Sequence, residues 1–244
     1  MQVGSDQIRG TRVTNIGSAS QPSGVQEESG PPSRWARAAI SVAVLYVIVD
    51  AVLFLVRPDL SLLHNAESDY GNGAFSWLMD INFELRFLFS AAAAISIWQA
   101  LRPGRSGMAG VILLGVWAVA SAILGGFPDD LQGASPTPHG VVHFTVAGVA
   151  FIACLLGTGL VTDEFRRHPT TRREVPVLTL VWIAAAVGLG SLTVVGFKPR
   201  SLGGLFERVF IGAEILWIVV AMAFLTRPKR LETPDHAMSR TRAH

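Results

Sequence analysis

The sequence predicts an all-α fold: a polytopic membrane bundle of six transmembrane helices with both termini in the cytoplasm. Three observations carry this expectation. Half of the 244 residues are hydrophobic and only 16% are charged, a balance far from that of a soluble domain. The apolar residues fall in six blocks of roughly 20, each long enough to cross a bilayer as a helix. Lysine and arginine are unevenly shared between the two sides. With the N-terminus inside, thirteen flank the membrane on the cytoplasmic side and four (Arg57, Lys198, Arg200, Arg208) on the other, and that bias sets orientation. The net charge of +2 conceals this asymmetry. The basic excess answers to topology and anionic lipid rather than to nucleic acid.

Residues 1–33 are rich in Gly, Ser, Gln and Pro, too polar to offset chain entropy by burial, and are expected to form a disordered cytoplasmic tail. No charged start followed by an apolar stretch and a small-residue cleavage site is evident there. The membrane domain is expected over 34–226. Its first helix runs from about Arg37 to Val56, with Trp35 at its start and Arg57-Pro58 ending it. Turn residues between Asn65 and Gly73 lead to a second helix from about Phe75 to Leu101, longer than a span needs and therefore tilted or projecting. Arg102-Pro103-Gly104-Arg105 makes a short connection.

The third helix covers about Met108 to Leu124, uncharged, with Gly110, Gly115, Ala118 and Ser121 as small positions for close packing. The fourth begins near His139 and ends near Val161, before a basic loop from Asp163 to Glu174. The fifth covers about Val175 to Phe197, and the sixth about Leu205 to Leu225. A basic tail, 227–244, is expected on the cytoplasmic side, where anionic lipid head groups would attract it. Cys154 is the single cysteine, so an intramolecular disulfide is excluded.

Four polar stretches lie at the outer ends of these runs: Asn65 to Gly71, Phe127-Pro128-Asp129-Asp130, His139-Gly140-Val141-Val142-His143, and Glu207-Arg208. Together with Pro58, Gly126 and Gly204-Leu205-Phe206, these pieces resemble the prokaryotic domain-of-unknown-function family numbered 998, six-helix membrane proteins. The likeness spans roughly residues 35–226. It implies fold and topology but no established activity, and it puts Asp130 rather than Asp129 on the family's acidic position. Glu84 and Arg86 depart from the uncharged segment that the resemblance implies.

Asp50, Glu84, Arg86 and Glu214 interrupt apolar helices. Charges in hydrocarbon cost at least ~2.5 kcal/mol each, so they are expected to share a wet, outward-facing acidic and histidine-bearing cavity. Glu214 lies seven residues from Glu207, about 10 Å along the helix and on one face with it. Arg86 is expected as an internal counter-ion, with Glu214 its preferred partner and Asp50 the next. Ser68, Asp69, Asp130, His143, Glu207 and Arg208 form the candidate polar site.

Two readings of that site stand side by side. In one it is a structural lock, in which Arg208 bridges the acids and His143 donates to one of them, with a small pocket beside it. In the other it binds a ligand. His139 and His143 stand four apart, a spacing seen in metal-binding helices, and with Asp130 they are candidate ligands for a divalent metal such as zinc. A metal-dependent hydrolase acting on a lipid or envelope substrate and an ion- or proton-coupled transporter are the alternatives to a structural or small-ligand-binding membrane protein. No P-loop, dinucleotide fingerprint or Gly-x-Ser-x-Gly motif is present. Whether the chain is an enzyme, and whether it forms oligomers, the sequence leaves open. The cell membrane is the expected location.

Overall fold

Six helices, each long and apolar enough to span a membrane, account for most of the computed structural model, which describes residues 34–131, 133–169, 171–198 and 200–227. They are α1 (Arg34–Val56), α2 (Ser76–Leu101), α3 (Arg105–Gly125), α4 (Pro138–Arg167), α5 (Val175–Val195) and α6 (Gly203–Leu225). Single 3-10 turns, Ser68–Gly71 and Arg172–Glu174, sit in two connections, and no strand occurs among the described residues. The all-α six-helix architecture is therefore as expected. The tails expected over 1–33 and 227–244 lie outside the described residues, apart from Arg227.

Helix boundaries move by a few residues, each for a local reason. Residues 163–167, expected in a loop, extend α4, because Asp163 pairs with Arg166 (3.5 Å) and Arg167 (2.6 Å) one turn on. Those arginines also face the negative end of the helix dipole. At its other end α4 is capped by Thr137, whose hydroxyl accepts from Gly140 N (3.1 Å), with Pro138 at the first helical position. α2 starts one residue late, since Phe75 adopts a left-handed conformation (φ 65°). α5 stops at Val195 because Gly196 (φ 58°) turns the chain out of the helix.

The buried stripes are narrow. α1 turns Ala36, Ala39, Ala43, Tyr46 and Leu53 inward, spaced by three, four, three and seven residues, and leaves Val44, Leu45, Val47, Ile48 and Leu55 exposed. An apolar outer surface of this kind belongs against lipid, with polar groups turned to the interior. α3 and α4 cross at Gly110 and Gly157, where a Cβ on Gly110 would meet Gly157 O at 2.9 Å. α5 approaches α6 in the same way, with Gly188 against the backbone of Phe210. Small residues thus set the closest crossings, as packing without a hydrophobic driving force requires.

The α1–α2, α3–α4 and α5–α6 connections meet at one end, here called the loop end. His64 Nδ1 donates to Ser201 O (2.7 Å) and Leu205 N to Leu63 O (3.1 Å), while Ser68 Oγ donates to Asp129 Oδ2 (2.7 Å). The opposite end is tied by Gly104 N donating to Glu164 Oε1 (3.3 Å) and by Arg227 pairing with Glu174 (3.3 Å). Helices α4 and α5 are joined by Trp182 Nε1 donating to Leu155 O (2.8 Å). Between that contact and the loop end, both helices line one cavity.

Candidate functional site

That cavity, about 840 Å³, is a cleft whose walls carry Phe144, Gly148, Ile152, Leu189 and Leu192. Phe144 and Ile152 are 72% and 58% exposed, so the cleft reaches the outer surface of the bundle along α4. Its size and apolar walls fall in the range of ligand pockets. The polar groups concentrate towards the loop end, where the α1–α2 connection, the α3–α4 connection and the first turns of α4 and α6 supply them.

The α1–α2 connection is folded against α6. Glu67 N donates to Glu207 Oε2 (2.6 Å), and Tyr46 OH donates to Glu67 Oε1. Asp69 Oδ2 accepts from Asn65 Nδ2 (2.9 Å) and Ala66 N (3.1 Å). Burial holds its carboxyl above the ordinary range. Ser68 reaches across to Asp129 Oδ2. His143, 4% exposed, donates from Nδ1 to Phe127 O (2.6 Å) and points Nε2 at Asp129 Oδ2, 4.0 Å away. The edge of Phe83 packs on its ring.

Of the residues expected in the site, Ser68, Asp69, Asp130, His143 and Glu207 all line this one cleft. They come from four separate regions of the chain. Several finer expectations are corrected. Arg208 bridges no acids: its Nη1 donates to the carbonyls of Leu62 (3.0 Å), Asn65 (2.7 Å) and Gly204 (3.1 Å), and its charge lies over Phe54 and Tyr70. It holds the loop, and the lock built on acid bridging does not form. The acid that meets Ser68 and faces His143 is Asp129. Asp130 instead accepts from Thr137 N and Thr137 Oγ1 (both 2.8 Å), where it fastens the start of α4.

The expected Arg86–Glu214 pair is also absent. No carboxylate lies within 4.0 Å of the Arg86 guanidinium among the described residues. Arg86 stacks between Phe83 (4.7 Å) and Trp117 (5.0 Å), whereas Glu214 faces α4 and accepts from Thr158 Oγ1 (3.3 Å). The two side chains leave their helices towards different neighbours. Asp50, the runner-up, also forms no ion pair with Arg86 within 4.0 Å, and its Oδ1 is buried without a hydrogen-bond partner. Glu84 is exposed rather than internal, because α2 projects past the end of α3 and leaves Glu84 at the level of Gly125. As donors for a metal, His139, His143 and Asp130 do not assemble. His139 is exposed and packs on Phe127, and no three His, Cys, Asp or Glu side chains among the described residues gather to hold an ion.

Asp129, Glu67 and Tyr46 were missed as members of the site. Asp129 sits beside Asp130 and Glu67 two residues before Asp69, each an acid of equal chemical promise, and Tyr46 lies in a run that reads as plain apolar helix.

The Thr137 contacts on Asp130, first its backbone N–H and then its hydroxyl, hold this carboxyl below the ordinary carboxylate range. A carboxyl depressed by folding contributes stability above its unfolded value, near pH ~4, and loses it as pH falls through the lower folded value. Asp130→Asn is therefore expected to lower the thermal midpoint at pH 7 and to flatten its fall below about pH 4. An equal acid slope in wild type and variant would remove Asp130 from the capping role.

Fold and site together define a multi-pass membrane protein of six helices, with a mixed polar and apolar cleft at one end of the bundle. The sequence model of one family, described as "Protein of unknown function (DUF998)", matches residues 40–223. The chain belongs to that family. No curated protein and no solved structure matches it.

Proposed function

We propose that this chain is a small-ligand-binding protein of the cell membrane, with both termini in the cytoplasm and the cleft opening at the extracytoplasmic face. The observation that carries the reading is the convergence on one roomy cleft of Ser68, Asp69, Asp129, His143 and Glu207. Chain entropy gives no reason for loop residues so far apart in sequence to share one volume. The orientation is supported by the thirteen-to-four bias of lysine and arginine. A structural role alone would favour a filled interface, since bundle packing leaves few voids. A second reading, ion- or proton-coupled transport, is favoured by polar groups that continue past the cleft. Glu214 Oε2 is buried without a partner, and Trp217 Nε1 donates to Thr162 Oγ1 (3.0 Å).

One experiment in two parts tests the first reading. In a Cys154→Ala background, Ala134→Cys at the cleft rim should react with an impermeant thiol reagent from outside, and Arg173→Cys should not. Native mass spectrometry should then show a bound small molecule on the wild-type protein that is lost from Gly148→Phe. Gly148 borders the cleft with nothing within 4 Å of its Cβ position, so the ring fills open space. Identical spectra for the two proteins would end the ligand-binding reading, and reversed labelling would invert the topology.

A further inference from the structure

The cleft holds a cation, Arg86, that has no carboxylate within 4.0 Å among the described residues. Arg86 lines it at 2% exposure, its Nε is buried without a hydrogen-bond partner, and its guanidinium receives no acceptor among the described residues. A guanidinium carries five N–H donors in a planar fork suited to two oxygens of a phosphate or carboxylate. Leaving such a group buried and unpaired is among the costlier arrangements in a protein interior. The Phe83 and Trp117 rings lie against its guanidinium, at 4.7 Å and 5.0 Å from their centroids, and stabilise the charge without accepting a hydrogen bond from it.

The remainder of the lining has the opposite sign. Glu67, Asp69, Asp129, Asp130 and Glu207 set five carboxylates towards the loop end, against Arg86 and His143. A ligand that is only anionic would satisfy Arg86 while entering a ring of acids, and one that is only cationic would leave Arg86 bare. Both demands are met by a molecule with an anionic group at depth and a cationic group nearer the mouth. The depth order follows from the helices. Arg86 is ten residues into α2 and rests on Trp117, about two turns below the end of α3, whereas Glu207 lies in the opening turns of α6 and Glu67 and Asp129 lie in loops. Alongside, Phe151, Ile152, Leu189 and Ile211 provide an apolar wall that reaches the lipid-facing surface of α4.

From these three features we propose that the cleft binds a zwitterionic amphiphile of the phospholipid type: phosphate on Arg86, ammonium among Glu207 and Asp129, acyl chain between α4 and α5. The inference rests on the ligand-binding reading above and gives it a chemical class. Entry from the side suits the geometry, since α4 and α5 line the cleft together from the Trp182–Leu155 contact up to the loop end.

The test uses the full-length protein in a non-ionic maltoside, with binding followed by native mass spectrometry. The probes are dihexanoyl-phosphatidylethanolamine, dihexanoyl-phosphatidylglycerol, decylamine and free phosphoethanolamine. The ethanolamine lipid is expected to bind at least about tenfold more tightly than each of the other three, and Arg86→Gln should weaken it by at least about tenfold, the scale of a lost charge-assisted pair. Arg86→Lys, which keeps the charge without the fork, should fall between. Glu207→Gln should narrow the preference for ethanolamine over glycerol. Thermal melts confirm that each variant is folded before it is compared. Equal binding of the glycerol lipid, or unchanged binding in a folded Arg86→Gln protein, overturns the proposal, the latter because water would then be solvating the guanidinium. If Gly148→Phe still displaces an occupant in that case, the ligand-binding reading survives and only the ligand class is lost. If Gly148→Phe displaces nothing, the reading itself has failed.

Discussion

Replacing Arg208 by methionine is expected to cost about 3 kcal/mol, the value of a strong charge-assisted hydrogen-bond set, and to lower the thermal midpoint by roughly 10 °C. The side chain gathers three carbonyls, two from the α1–α2 connection and one from its own helix. Without it the carbonyls of Leu62 and Asn65 lose their donor, and the loop that carries Glu67, Ser68 and Asp69 loses its tie to α6. The Phe54 and Tyr70 rings, which pack on one another beneath the charge, lose their cation at the same time. Arg208→Lys should recover part of the loss, because an ammonium can reach one carbonyl but cannot rest flat on the rings. A methionine variant that melts within about 2 °C of wild type would show that the loop is held by other contacts.

The second large effect is expected at the crossing of α5 and α6. A Cβ on Gly188 would lie 2.8 Å from Phe210 N and 3.1 Å from Phe210 Cα. Both are backbone atoms of a helix, so no side chain can swing away to make room. Gly188→Val is expected to force the helices apart at a cost of about 3 kcal/mol, the upper part of the overpacking range. It should also perturb the cleft, since Leu189 and Leu192 on the same helix line it. Gly190→Val provides the control, because nothing lies within 4 Å of that Cβ position. Equal melting temperatures for the two variants would mean that α5 and α6 can slide past one another, contrary to the packing described.

The two predictions mark the division between what was legible in the chain and what was not. Spans were legible because a bilayer demands some 20 consecutive apolar residues for each crossing, and Pro, Gly and turn chemistry interrupt them visibly at Arg57-Pro58 and Arg102-Pro103-Gly104. The polar stretches at the helix ends were legible for the same reason: Asp69, His143 and Glu207 stand out against hydrocarbon. That they meet in a single cleft was an expectation from depth alone, and depth follows from counting residues at 1.5 Å each.

Partners were another matter. The depth of Arg86 and of Glu214 is fixed along their helices, but their pairing depends on how α2 and α6 are rotated and on what stands between them. Rotation turns Arg86 onto Trp117 and Glu214 onto Thr158. Likewise Asp129 and Asp130 are adjacent and chemically equivalent in the sequence. Only the turn of the chain after Pro128 sends one towards Ser68 and His143 and the other back to Thr137. The sequence by itself determined the number of helices, their ends to within about two turns and the level at which each polar group sits, because these follow from local composition and the thickness of the membrane. Tertiary structure alone decided which groups touch, because azimuth and loop path are set by packing between segments distant in the chain, with Gly110 on Gly157 and Gly188 on Phe210 fixing how closely the helices approach.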